Sequence, residues 1–222
     1  GSTSSMQCGR AGHPLPGISM TQSLRPAPAS HSCPTGSQLP LARSSTSMVG
    51  CIPKVPSRLL LLRHAKSDYP AGIPDHDRPL NERGLRDARA AGAWIAEHQD
   101  ELFSGEAIVI VSSALRAQQT WGRIEVHMPG LRWLTEPRLY DAACSTLMSI
   151  AEASEVDTAL IVGHNPTIEE TALFLAADDG RGLKERIRSK FPTCGLVVLD
   201  LSASDPWANG SADLAAFEVP RG

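Results

Sequence analysis

The chain has 222 residues, a formal net charge of −3 and 41% apolar residues. That suits one globular domain, or one domain with a tail. The charge is too small to argue for non-specific binding to nucleic acid or membrane, and no apolar run approaches the length of a bilayer span.

Residues 1–57 differ from the rest. They are rich in Ser, Pro and Gly, and contain no Asp, Glu or aromatic residue. Such a segment cannot bury enough apolar surface to offset its ordering entropy, so a disordered tail is expected, with a catalytic domain over residues 58–222. Gly1-Ser2 reads as an expression-tag remnant. Two other readings are an organellar transit peptide, which the absence of an amphipathic helix leaves unsupported, and a true start at Met20 or Met48.

Leu59–Arg63 reads as a strand buried on both faces that ends in Arg63-His64. Asn81 is the expected N-cap of a helix running to Gln99, with Leu85, Ala88, Gly92 and Ile95 on its apolar face. "AIVIV" (107–111) is a second buried strand, followed by a helix over 114–126. Residues 131–134 form a short strand and 145–153 a helix. "TALIV" (158–162) is a third buried strand, and Pro166 opens a helix over 167–177. Residues 196–201 and 214–219 read as two last strands. Residues 181–190 ("RGLKERIRSK") read as an exposed basic helix, with docking of an acidic partner as the other reading. Strands alternating with helices imply a three-layer α/β/α sandwich around a mostly parallel sheet.

The five cysteines, Cys8, Cys33, Cys51, Cys144 and Cys194, form no C-x-x-C pair and are odd in number. Reduced thiols in a cytoplasmic protein are therefore expected, not disulfides or a zinc site. Cys194 reads as a small core filler. Trp94, Trp121 and Trp133 read as packing residues. His13, His31, His76, His98 and His127 read as solvated.

Ligands of open α/β sheets bind beyond the carboxyl ends of the strands. Arg63, His64 and Ser67 follow the first buried strand. "SSALRAQQT", with Arg116, follows the second, and "GHNP", with His164, follows the third. Two arginines and two histidines thus converge on one rim. Arginine is always charged and its fork fits phosphate oxygens. Two of them can neutralise a phosphoryl group in transfer, and a neutral imidazole among them can attack phosphorus. No metal or other cofactor is called for. A metal site would want a carboxylate or a third histidine, and arginines would repel a cation.

"LLLLRHAKS", "SSALRAQQT" and "ALIVGHNPTIEE", in that order and each at a strand end, resemble the histidine phosphatase superfamily. Together with "DRPLNERG" (77–84) they are similar to its SixA-like phosphohistidine phosphatase branch. The resemblance covers about residues 58–203. It implies His64 as nucleophile, with Arg63, Arg116 and His164 as the phosphate pocket. Ser67 matches a pocket-lining position, and Asn165 one that orients the loop.

Superfamily phosphomonoesterases protonate the leaving oxygen with a carboxyl group, and Glu136 in "LTEPRLYDA" matches that position; Asp77 is the alternative. An alkoxide leaves poorly without such an acid, which contributes about 10²–10⁴ in rate. An imidazole needs little help, so a phosphohistidine substrate tolerates a missing acid. Residues 137–163 leave no room for the helical cap that family members acting on small metabolites often carry there. The expected activity is a metal-independent phosphatase with a phosphohistidine intermediate, acting on a phosphohistidine-bearing protein. The alternatives are a phosphomonoesterase of sugar or nucleotide phosphates and a non-catalytic phosphate-binding module. Oligomeric state is not readable.

Overall fold

The computed structural model describes residues 54–178 and 180–222. The readings placed on residues 1–53, including Cys8, Cys33, Cys51, His13 and His31, lie outside them. Six strands form one sheet: β1 (Arg58–Arg63), β2 (Ala107–Ser112), β3 (Trp133–Glu136), β4 (Thr158–Gly163), β5 (Leu196–Asp200) and β6 (Asp213–Glu218). Their order is β3-β2-β4-β1-β5-β6. The pairs β1·β4, β2·β4 and β2·β3 are parallel, while β5 and β6 are attached antiparallel. The helices are α1 (Glu82–Glu97), α2 (Gln99–Leu102), α3 (Leu115–Ile124), α4 (Cys144–Glu152), α5 (Thr167–Leu175) and α6 (Leu183–Ser189).

Alternation along β1 divides the core. Leu59 and Leu61 pack in one cluster with Leu147 and Ile150 of α4, Ile168 and Leu175 of α5, and Ile187 of α6. Leu60 and Leu62 pack in the other with Ala88 and Ile95 of α1 and Trp121 and Ile124 of α3. All four leucines are fully buried, each contributing roughly 1.5–3 kcal/mol by its removal from water. A sheet covered on both faces explains why its central strands are continuous apolar runs. The expected three-layer α/β/α sandwich is the fold.

The element that seats the active loop is α1. The Asn81 side chain accepts a hydrogen bond from the Gly84 N–H at 2.9 Å, as an N-cap should. The Asn81 N–H donates to the Lys66 carbonyl at 3.0 Å. Gly84 lies so close to that carbonyl that a Cβ there would stand 2.1 Å from the Lys66 oxygen. The glycine of "DRPLNERG" is thus a packing requirement: only hydrogen fits between α1 and the chain leaving β1.

Several expectations need correction. The short strand spans Trp133–Glu136, two residues beyond the expected 131–134. It is a sheet edge, and Trp133 and Leu134 are each 41% exposed, so no buried run marked its bounds. Trp133 is not a core packing residue; its Nε1 donates to Glu125. The first helix ends at Glu97, and His98 stacks on Trp94 with ring centroids 4.2 Å apart. His127 is half-buried, not solvated, and a Cβ on Gly92 would lie 2.7 Å from its ring. Cys194 is fully buried, as a core filler should be.

Candidate active site

Parallel register builds the centre of the site. Arg63 pairs with Gly163, the last residues of β1 and β4. The next residue on each strand is a histidine, so both side chains project from neighbouring posts on the same side. Adjacent strands lie about 4.8 Å apart, and the His64 and His164 ring centroids are 5.0 Å apart. The His64 N–H continues the ladder to the Gly163 carbonyl at 2.9 Å. From the other side, the Cys194 N–H donates to the carbonyls of Arg63 (3.1 Å) and His64 (3.2 Å). The Ala65 N–H donates to Thr120 Oγ1 at 2.9 Å, and that hydroxyl donates to the Arg116 carbonyl at 2.6 Å. These bonds tie the end of β1 to α3.

The His64 ring has a defined tautomer. Its Nδ1 lies 2.7 Å from the Ala65 carbonyl oxygen. A carbonyl can only accept, so Nδ1 carries the proton and Nε2 keeps the lone pair. Burial is the main force lowering the His64 pKa to about 3; His164, Arg116 and Arg63 add to it, against the bond to Ala65. Burial first, then Arg116, lowers His164 to about 4, with Asp75 opposing. Both rings are therefore neutral at pH 7. The His164 Nε2 lies 2.8 Å from Ser112 Oγ, at the end of β2.

The cations come from two elements. Arg63 closes β1 and its guanidinium donates to the Phe191 carbonyl; burial lowers its pKa, with Glu169 opposing, but guanidinium stays charged. Arg116 occupies the first turn of α3 and is buried, where the helix dipole also favours anions. Asp75 holds it from two directions. Arg116 donates to the Asp75 main-chain carbonyl at 2.6 Å and to its Oδ2 at 3.0 Å. Tyr140 donates to the same Oδ2 at 2.8 Å. Hydrogen bonds from Tyr140, Arg78 and Arg116 lower the Asp75 pKa to about 2.

Arg63, His64, Arg116 and His164 thus gather as expected. The other candidates are engaged elsewhere. Ser67 Oγ is buried and accepts from Arg78 at 2.6 Å. Asn165 donates to Glu169 at 2.7 Å, within α5, and so braces the loop after β4. Glu136 ends β3 and is held by Arg138. Asp77 contacts His76 at 3.1 Å on the exposed loop. His76 is not simply solvated: its Nε2 lies 3.0 Å from Ser113 Oγ and its ring meets Tyr140 edge-on at 4.9 Å.

Sequence reasoning missed Asp75, Tyr140, Ser112 and Thr120. Ser112, Thr120 and Tyr140 stand inside the quoted stretches "SSALRAQQT" and "LTEPRLYDA" and were open to notice. Asp75 sits in an irregular loop with no periodicity to mark it. Chemically, the assembly offers a neutral imidazole with a free Nε2, flanked by fixed guanidinium groups and a second ring. That arrangement can receive a phosphoryl dianion.

A family model described as "Histidine phosphatase superfamily (branch 1)" matches residues 59–147. The uncharacterized protein Rv1276c of Mycobacterium tuberculosis is 41% identical over 167 residues, covering 72% of this chain and 100% of the relative. The crystal structure of the putative phosphohistidine phosphatase SixA from Agrobacterium tumefaciens is 32% identical, with a TM-score of 0.62 over 75% of this chain and 100% of that one. A second putative SixA, from Nakamurella multipartitia, is 28% identical, with a TM-score of 0.62 over 76% and 99%. With the paired strand-end histidines and their arginines in place, the chain belongs to the histidine phosphatase superfamily, in its SixA-like branch.

Proposed function

We propose that this protein is a metal-independent phosphatase that works through a phosphohistidine at residue 64 and takes phosphohistidine on a protein as its substrate. The observation that carries the reading is the His64–Ala65 contact of 2.7 Å, which leaves Nε2 unprotonated beside Arg63, Arg116 and His164. The phosphoryl group enters between the guanidinium groups. The Nε2 lone pair attacks phosphorus as the bond from phosphorus to the leaving group breaks. When the leaving group is an imidazole, its own second ring nitrogen carries the proton, and it departs neutral. Positive charge developing on the His64 ring is met by the Ala65 carbonyl at Nδ1–H and by the phosphoryl oxygens at Nε2. Water then attacks phosphorus, the P–Nε2 bond breaks, the ring regains its lone pair, and the water proton leaves on phosphate or to solvent.

The state of Glu136 supports phosphohistidine over alkyl phosphate esters. Its pKa is lowered, chiefly by hydrogen bonds from Arg138, so it is a poor proton donor near neutrality. A substrate that needs no strong acid suits such a site.

The test is a rapid acid-free quench after mixing the enzyme with ³²P-labelled phosphohistidine protein. A base-stable, acid-labile label on residue 64 is expected. His64→Ala should give no label and lose at least about 10³ in kcat. Turnover by His64→Ala at the wild-type rate, or label on another residue, would overturn the reading.

A further inference from the structure

Arg63 also borders a second feature, whose lining includes neither of the two histidines nor Arg116. A surface cleft of about 370 Å³ is lined by Arg63, Lys66, Arg83, Lys190 and Arg221, with the remaining lining supplied by Phe191, Pro192 and Thr193. Five of its eight lining residues are cations and none is an acid. The chain as a whole carries a net charge of −3, so this concentration runs against the average. Other cations near the surface sit singly against a carboxylate, as Arg138 does on Glu136 and Lys54 on Asp157; here five converge on one cleft.

The cleft is built on a buried support. The Asp87 side chain, 2% exposed on the inner face of α1, lies 2.6 Å from Arg221 Nη1 and 3.4 Å from Arg83 Nε. Arg221 also donates to the Thr193 carbonyl at 3.1 Å. One buried carboxylate thus fixes two guanidinium groups at the cleft wall and leaves a net charge of about +4 among these six side chains. Asp87, together with Glu169 acting on Arg63, is too little acid to neutralise the surface.

Resting on the reading that the substrate is a phosphohistidine-bearing protein, we propose that this cleft docks acidic side chains flanking the phosphohistidine. Arg63 belongs to both places. It adjoins His64 in sequence and also lines the cleft, so a polypeptide with its phosphoryl group at His64 passes its neighbouring residues over Lys66, Lys190 and Arg221. Carboxylates there meet the ammonium groups of Lys66 and Lys190, neither of which has a salt bridge among the described residues, and the guanidinium groups fixed by Asp87. A nucleotide fits less well: Phe191, the one aromatic residue in the lining, is 3% exposed and offers no face for a base.

Two measurements test the docking separately from the chemistry. In the first, two phosphohistidine peptides, one with glutamates and one with glutamines around the phosphohistidine, are compared by kcat/KM. The ratio should favour the acidic peptide by about three- to tenfold at low salt, fall toward one at high salt, and fall toward one in Lys66→Glu/Lys190→Glu. A ratio of one in the wild type, or one indifferent to charge reversal, overturns the proposal. The second uses an unphosphorylated glutamate-rich peptide, followed by amide chemical shifts of the full chain, with ATP in parallel. Shifts at Lys66, Arg83, Lys190 and Arg221 from the peptide, lost in the double variant, support docking even if phosphohistidine itself proves not to be hydrolysed. Shifts from ATP alone, or from neither, overturn it.

Discussion

Glu136 accepts three hydrogen bonds from Arg138, from its main-chain N–H at 3.0 Å, Nε at 3.0 Å and Nη2 at 2.8 Å. Pro137 and a single 3-10 turn bring the two side chains onto each other. A carboxylate so engaged favours its charged form, and its pKa is lowered accordingly. Glu136→Gln should cost less than about threefold on phosphohistidine and at least about tenfold on an alkyl phosphate. Arg138→Ala should free the carboxyl and raise alkyl phosphate hydrolysis several-fold near pH 5, with phosphohistidine turnover unchanged. Steady-state rates on both substrate classes check this; equal loss on both in Glu136→Gln would remove the leaving-group argument.

The histidine pair makes stability depend on pH in a defined direction. In the folded chain His64 titrates at about 3 and His164 at about 4, whereas an unfolded histidine titrates near 6.5. The unfolded state therefore binds more protons between those values, and stability falls as pH drops through that window. It is complete above about pH 6.5 and declines until the folded rings themselves protonate. Going from pH 7 to pH 5 should cost on the order of 2–4 kcal/mol from the two rings together, apart from other groups. Urea melts of the wild type and of His64→Ala/His164→Ala check it: the double variant should show the shallower pH slope. Imidazole ¹⁵N spectra of the folded protein should show both rings neutral from pH 5 to 8.

Asp75 positions Arg116 and does not touch the reacting centre by any contact described above. Replacing it with Ala leaves the main-chain carbonyl to hold one guanidinium nitrogen and removes the partner of the other. Kcat should fall about tenfold while KM changes less, because the loss is one of orientation in the transition state. Asp75 also opposes the lowering of the His164 pKa, so its removal should push that pKa lower still. Pre-steady-state rates and ¹⁵N titration of His164 read the two effects separately.

Gly84→Ala should destabilise the domain by about 1–3 kcal/mol, because its methyl group would meet the Lys66 carbonyl. The same clash shifts residues 64–67, so activity should fall further than stability alone explains. Thermal melts and kcat at a temperature well below the transition distinguish the two losses.

Much of this was legible before any coordinates. The leucine run of β1, "AIVIV" and "TALIV" mark strands covered on both faces, and the residues just after them name the rim on which Arg63, His64, Arg116 and His164 meet. What hid was of another kind. β3 lies at the sheet edge with Trp133 and Leu134 exposed, so its bounds carry no burial pattern. Asp75 acts through a loop whose shape depends on Arg78, Arg116 and Tyr140 arriving from elsewhere. The engagement of Glu136 by Arg138 depends on a turn at Pro137 that spacing alone does not signal. The Arg83–Asp87 pair is a local i,i+4 contact on α1, but the support of Arg221 by Asp87 joins residues far apart in the chain.

Because Arg63 stands opposite Gly163, the two rings depend on parity as well as proximity. Side chains alternate faces along a strand, so inserting or deleting one residue within either post would turn one imidazole toward the opposite helical layer while leaving the hydrophobic count nearly intact. The loop that follows residue 67 is free of that parity, provided Asp75 keeps its hold on Arg116. Diversification of what this scaffold accepts can therefore proceed by loop exchange, whereas length changes inside the two posts would dismantle the reaction centre at a stroke.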